Sequence, residues 1–157
     1  MSQPCHRYLI FALLAPTLAL AQAAASLQAM PTFEAYRVNE RFTGKAHRPR
    51  LLTEQDREFR TELARAAAKR PNFAGHYVLT TVGCGASCVL TAVLDAKTGQ
   101  VAWLPFTLCC WADEVREPVQ FRRDSDLILV SGRRDEGEDG RYAVRFVDGR
   151  FVPLNSH

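Results

Sequence analysis

At Pro71 the chain changes its hydrophobic period, and that change constrains the fold more than any other feature. Before it, Thr53 to Arg70 reads as one helix. Thr53 is a good N-cap, and Asp56 three residues later completes a variant of the capping box. Leu52, Phe59, Leu63, Ala66 and Ala67 fall near one face, which must pack on something. Asp56–Arg60 and Glu62–Arg65 are spaced as helical ion pairs, each worth tenths of a kcal/mol. Arg65, Lys69 and Arg70 suit the negative end of the helix dipole, and Pro71 stops the helix.

After Pro71 the signal is β. Strands are expected at 76–82, 88–94, 101–105, 118–122, 127–130, 142–147 and 150–152. Residues 95–100 make a hairpin loop with Gly99 available for positive φ, and Asp148-Gly149 is a two-residue hairpin signal. The acidic stretch 133–140 reads as a solvated loop. One helix ahead of a run of strands implies an α+β class: an N-terminal helix packed on an antiparallel, mostly meander β-sheet.

The first residues set the compartment. A weakly basic start with Arg7, an uncharged apolar run from Tyr8 to Leu20, and small residues at Ala19, Ala21 and Ala23 have the layout of a cleaved secretory signal peptide. The expected division is 1–23 signal peptide (cleaved after Ala23, with Ala21 the alternative), 24–52 irregular leader, and 53–157 a single domain on which the leader packs. Cys5 lies too far upstream of the cleavage site to anchor a lipid. The mature chain is then periplasmic or secreted, and with no second hydrophobic span it does not cross a membrane. Residues 24–70 carry 10 basic and 6 acidic side chains (+4), and 71–157 carry 9 and 11 (−2). A net +2 does not point to nucleic acid, although the basic front half suits an acidic partner or the anionic envelope.

Four cysteines remain after export: Cys84, Cys88, Cys109 and Cys110. An even count in an oxidising compartment implies two disulfides, with three connectivities. If 95–100 closes a hairpin, opposed positions sum to about 195, which sets Cys88 opposite roughly 107 and Cys84 opposite roughly 111. Neighbours on a strand point to opposite faces, so the favoured bridges are Cys88–Cys109 and Cys84–Cys110. A local Cys84–Cys88 bridge is the main competitor, and a vicinal Cys109–Cys110 bond is strained. A bridge closing the hairpin is worth about 3 kcal/mol.

The same residues admit sharper readings. Cys84-Gly-Ala-Ser-Cys88 resembles the Cys-Gly-Ser-Cys-Trp segment of papain-like proteases, with His76 as base. The spacing differs by one residue, no Trp follows, and only His157 lies downstream. His76, Cys84 and Cys88 with Cys109 or Cys110 also suit tetrahedral metal ligation. A thioredoxin-type Cys-x-x-Cys is missing. The bland readings are a structural His76 and packing roles for Trp103 and Trp111; exposed together, the two tryptophans would make a binding hot spot.

Asn72-Phe-Ala-Gly-His-Tyr77, Gly83-Cys-Gly-Ala-Ser-Cys88 and Asp95-Ala-Lys-Thr-Gly-Gln-Val101 together resemble a group of small, uncharacterised exported proteins of Gram-negative bacteria. That resemblance spans about 33–153 and implies compartment and fold unity, with no activity attached. Those relatives often carry Trp where this chain has Val82. Leu94 to Trp103 is similar to the strand-turn-strand piece of quinoprotein-type propeller repeats, which implies only the hairpin. No carboxylate pair, Ser-His-Asp set or phosphate loop is visible. The expectation is therefore a non-catalytic, disulfide-stapled exported binding protein (an envelope inhibitor, immunity-type or accessory protein) with no cofactor and no metal. It would recognise a protein or envelope component, with Trp111 and Trp103 as weak binding candidates. The alternative is a small envelope thiol hydrolase or metal-binding protein using Cys84, Cys88 and His76.

Overall fold

The computed structural model describes residues 30–154 apart from Ala86 and Glu136. The expected signal peptide, Cys5 and His157 lie outside the described residues. Within them the chain is mostly antiparallel sheet with few helices.

Two short helices occupy the segment expected to be one: α1 (Glu54–Glu58) and α2 (Arg60–Ala67). The break falls at Phe59 (φ −95°, ψ 24°), whose ring leans on Trp103 with centroids 5.4 Å apart. The capping box forms, Thr53 Oγ1 accepting from the Asp56 amide at 3.0 Å and Asp56 Oδ2 accepting from the Thr53 amide at 2.8 Å. Leu63 and Ala66 are buried, whereas Leu52 is 64% exposed and does not join the packed face. Asp56 makes no ion pair with Arg60; it is buried and accepts the Trp103 indole N–H instead. Glu62 and Arg65 do pair, at 3.9 Å.

Eight strands follow: β1 (Tyr77–Gly85), β2 (Cys88–Asp95), β3 (Val101–Trp103), β4 (Leu108–Cys109), β5 (Val119–Phe121), β6 (Leu127–Arg134), β7 (Asp139–Val147) and β8 (Arg150–Leu154). They form one sheet in the order β1-β2-β4-β6-β7-β8, with β3 also on β2 and β5 also on β6. The β2–β3 register sums to 195 throughout, Val93 opposite Ala102, as the Asp95–Gln100 loop requires. Asp95 holds that loop through Lys97 N–H at 2.8 Å and the Thr98 hydroxyl at 2.6 Å, while Gly99 takes φ +77°. Asp148 and Gly149 both take positive φ, the two-residue turn whose twist matches the strands it joins. The stretch 133–140 is not a loop throughout: β6 runs on to Arg134 and β7 starts at Asp139, Arg133 facing Asp139. Of its charged residues, Arg133, Arg134 and Asp139 lie on the ends of these two strands.

The sheet curls so that its halves share a core. Phe73, Leu79, Val93, Leu108, Ile128, Val130 and Phe146 are buried together, and Tyr77 on β1 meets Phe146 on β7 with ring centroids 5.0 Å apart. On the other face of β1–β2, Ala66 of α2 packs on Val78 and Leu94. Residues 30–52 are held to the sheet by backbone bonds: Val38 N–H to Asp124 O, Phe42 N–H to Gly75 O, His47 N–H to Ala96 O, and Arg50 N–H to Gly99 O. This segment includes a 3-10 turn at Phe33–Tyr36, whose Tyr36 ring lies under the Arg145 guanidinium.

Candidate functional site

At one end of the sheet sit the four cysteines. Cys84 and Cys88 are joined as a disulfide, with Cα atoms 5.2 Å apart, in place of the expected Cys84–Cys110 and Cys88–Cys109 bridges. The reason is topological. The chain reverses between Gly85 and Cys88, so β1 and β2 are themselves a hairpin, with Gly85 opposite Cys88. Cys84 therefore lies on one side of β2 while Cys109 lies on the other. Half of the expected geometry survives: Cys88 and Cys109 are direct cross-strand partners, two residues beyond the β2–β3 register.

Cys109 and Cys110 carry free thiols. The rule that neighbours alternate faces stops applying at Cys109, where β4 ends. Cys110 takes φ 55°, a left-handed conformation costing a non-glycine residue about 1–2 kcal/mol. That turn brings its Sγ back to 2.7 Å from Cys109 Sγ. The bond from Cys110 Sγ, then burial, hold the Cys109 thiol above its ordinary pKa, against the opposing pull of Arg133. Arg133 is the other cross-strand neighbour of Cys109 and is paired with Asp139 at 3.1 Å.

Beside Cys110 opens a concavity of about 940 Å³ between the 110–117 segment and the ends of β6 and β7. Half-buried Trp111 forms part of its wall and also packs against the main core. Glu114, Glu117, Arg116 and Arg141 bring both signs of charge to its rim. Gly132 makes the close approach possible: a Cβ there would stand 2.7 Å from the Cys109 carbonyl and 3.3 Å from Trp111 Cβ. Trp103 is elsewhere. Half-buried on β3, it is fixed by Phe59 and Asp56, so the two tryptophans do not form a joint hot spot.

His76 stands at the start of β1 and Cys84 near its end. Eight residues of extended strand separate them by roughly 25 Å, so they do not meet as base and nucleophile. His76 instead ties three segments together: Nδ1 to Glu40 Oε2 at 2.9 Å, Nε2 to Asp95 Oδ1 at 3.7 Å, and its ring on Tyr77 at 3.9 Å. Lys97 hydrogen-bonds Glu40 and holds that carboxyl below its usual range, with His76 adding to the effect. Burial, and then the carboxylates of Asp95, Asp148 and Glu40, push the Tyr77 phenol up. Among the described residues no three His, Cys, Asp or Glu side chains converge as a metal cage. None of their helices is long and apolar enough to cross a membrane.

Compared with protein-family models, curated proteins and solved structures, the chain matches none. The 110–117 concavity depends on contacts that no short motif announces. Trp111, a binding candidate from the sequence, is its trace there.

Proposed function

We propose that this chain is an exported, non-catalytic binding module: a disulfide-stapled α+β domain that recognises another protein through the concavity beside Trp111. The observation that supports it best is the concavity itself. It is broad, holds an aromatic wall fixed by the core, and carries a rim of both charges, the usual anatomy of a protein-recognition patch. The mixed rim favours a protein over a polyanion. An envelope inhibitor, an immunity-type protein and an accessory factor all fit this description. Export to the periplasm or beyond is part of the proposal and rests on residues 1–23. The alternative, catalysis by Cys84 or Cys88 with His76, has less support, because those cysteines are bonded to each other and the histidine lies at the far end of β1.

The test is affinity purification of the tagged chain from its own compartment, wild type beside Trp111→Ala. A discrete protein held by the wild type and lost from a folded Trp111→Ala variant is the expected result. Equal recovery by both, or no partner with either, overturns the reading.

A further inference from the structure

We propose that Cys84, Cys88, Cys109 and Cys110 form a single thiol–disulfide exchange centre, in which the Cys84–Cys88 bond passes through Cys88–Cys109 to Cys109–Cys110 and back. The inference stands on the placement of the four sulfurs and is independent of the binding reading.

Three observations carry it. The bonded and free pairs meet across one ladder, since Cys88 and Cys109 are direct register partners and so project on the same face. Opposed residues hold their Cβ atoms about 4.5–5.5 Å apart, and a disulfide needs about 3.5–4.5 Å. Closing Cys88 onto Cys109 thus requires an adjustment of about 1 Å, at a two-residue strand next to a turn. Second, the left-handed Cys110 places its sulfur against Cys109, and its amide is bonded to Ser87 O at 3.3 Å, inside the disulfide turn. Backbone strain of this kind, kept at a reactive residue, is a recurring mark of function. Third, the centre is open to solvent: Cys84 and Cys110 are exposed, and Cys88 and Cys109 are half-buried. Arg133 beside Cys109 only partly offsets the bond from Cys110 and the burial that hold this thiol above its ordinary pKa, so the attack needs alkaline solution.

The steps balance without an outside oxidant. Cys109 gives its proton to water, and the thiolate attacks Cys88 Sγ in line with the bond to Cys84. The Cys88–Cys109 bond forms as the Cys84–Cys88 bond breaks, and Cys84 leaves as a thiolate that takes up a proton. Cys110, deprotonated in turn, attacks Cys109 Sγ; Cys88 then departs and is protonated. One disulfide and two thiols are present at every stage. The strain of a vicinal bond keeps the Cys84–Cys88 form the more populated.

The experiment is anaerobic incubation of the full mature chain at pH 8.5, acid quenching, alkylation and peptide mapping. Two alkylated sulfurs per molecule are expected throughout, with a minor fraction of the label shifting from Cys109 and Cys110 to Cys84 and Cys88. In Cys110→Ser the single label should move from Cys109 to Cys84, with the Cys88–Cys109 peptide recovered. The rate should rise about tenfold per pH unit while Cys109 is protonated and should be independent of protein concentration. Label confined to Cys109 and Cys110 in the wild type overturns the proposal, and so does transfer whose rate grows with protein concentration. The wild-type measurement decides the matter alone if Cys110→Ser does not fold.

Discussion

Trp103 donates its indole N–H to the buried carboxylate of Asp56 at 2.8 Å, so that the cap of the first helix and the edge of the sheet are one structure. Asp56 accepts from Thr53 N–H at 2.8 Å and Leu52 N–H at 3.0 Å on its other oxygen. Burial alone would raise this carboxyl, but the bonds from Thr53, Trp103 and Leu52 outweigh it and hold the carboxyl below its usual pKa.

Asp56→Ala should therefore destabilise the fold by about 2–4 kcal/mol, the sum of a lost cap and a lost charge-assisted bond. Urea denaturation followed by tryptophan fluorescence measures this. The pH dependence has a definite sign. The folded pKa lies below the unfolded one, so Asp56 stabilises fully above about pH 4. That contribution disappears as pH falls through the folded value. The stability difference between wild type and Asp56→Asn should be flat near neutrality and shrink in acid.

Removing the Cys84–Cys88 bond should cost about 2 kcal/mol, less than a bridge from Cys88 to Cys109 across the longer 95–100 hairpin, because the closed loop is short. Cys84→Ser should show this shift in urea midpoint with its far-UV circular dichroism unchanged. A loss of the sheet signal would show that the bridge organises the fold.

Gly75 takes φ +80°, and a Cβ there would stand 2.5 Å from the Glu40 carbonyl. Gly75→Ala should cost about 2 kcal/mol or more and lift residues 37–45 from the sheet. Limited trypsin digestion would report it as faster cleavage at Arg41 and Lys45. Unchanged cleavage would mean that the leader is held by its other contacts.

His76→Ala should lower stability by about 1 kcal/mol, since it breaks one hydrogen bond to a partly exposed carboxylate. It should leave partner recovery unchanged, because His76 lies at the opposite end of β1 from the cysteines. A calorimetric midpoint together with partner recovery distinguishes this tie from a functional histidine.

Local rules made much of this legible. The Thr53–Asp56 box, the Asp95–Gln100 register and the Asp148-Gly149 turn each depend on residues within a few positions of one another, and all three form. What was not legible depends on distant partners or on a single departure from regularity. The capping role of Asp56 is legible, but its bond from Trp103, 47 positions away, is not, and the spacing alone suggests an Arg60 ion pair instead. Nothing in Gly85-Ala86-Ser87 announces a reversal as strongly as Asp-Gly does, so the sequence alone sets Cys84 on the same strand as Cys88. Cys110 escaped the alternation rule through one left-handed φ. The Trp111 concavity exists because Gly132, 21 residues later, lets the chain pass close by.

The binding reading is best decided by photo-crosslinking in the producing cell, with a photoreactive residue at Glu114 on the concavity rim and a control at exposed Val152 on β8. A discrete protein adduct from position 114 and none from 152 is the predicted result, abolished when Trp111→Ala is added. No adduct from 114, or the same adduct from both positions, would contradict recognition through the Trp111 concavity.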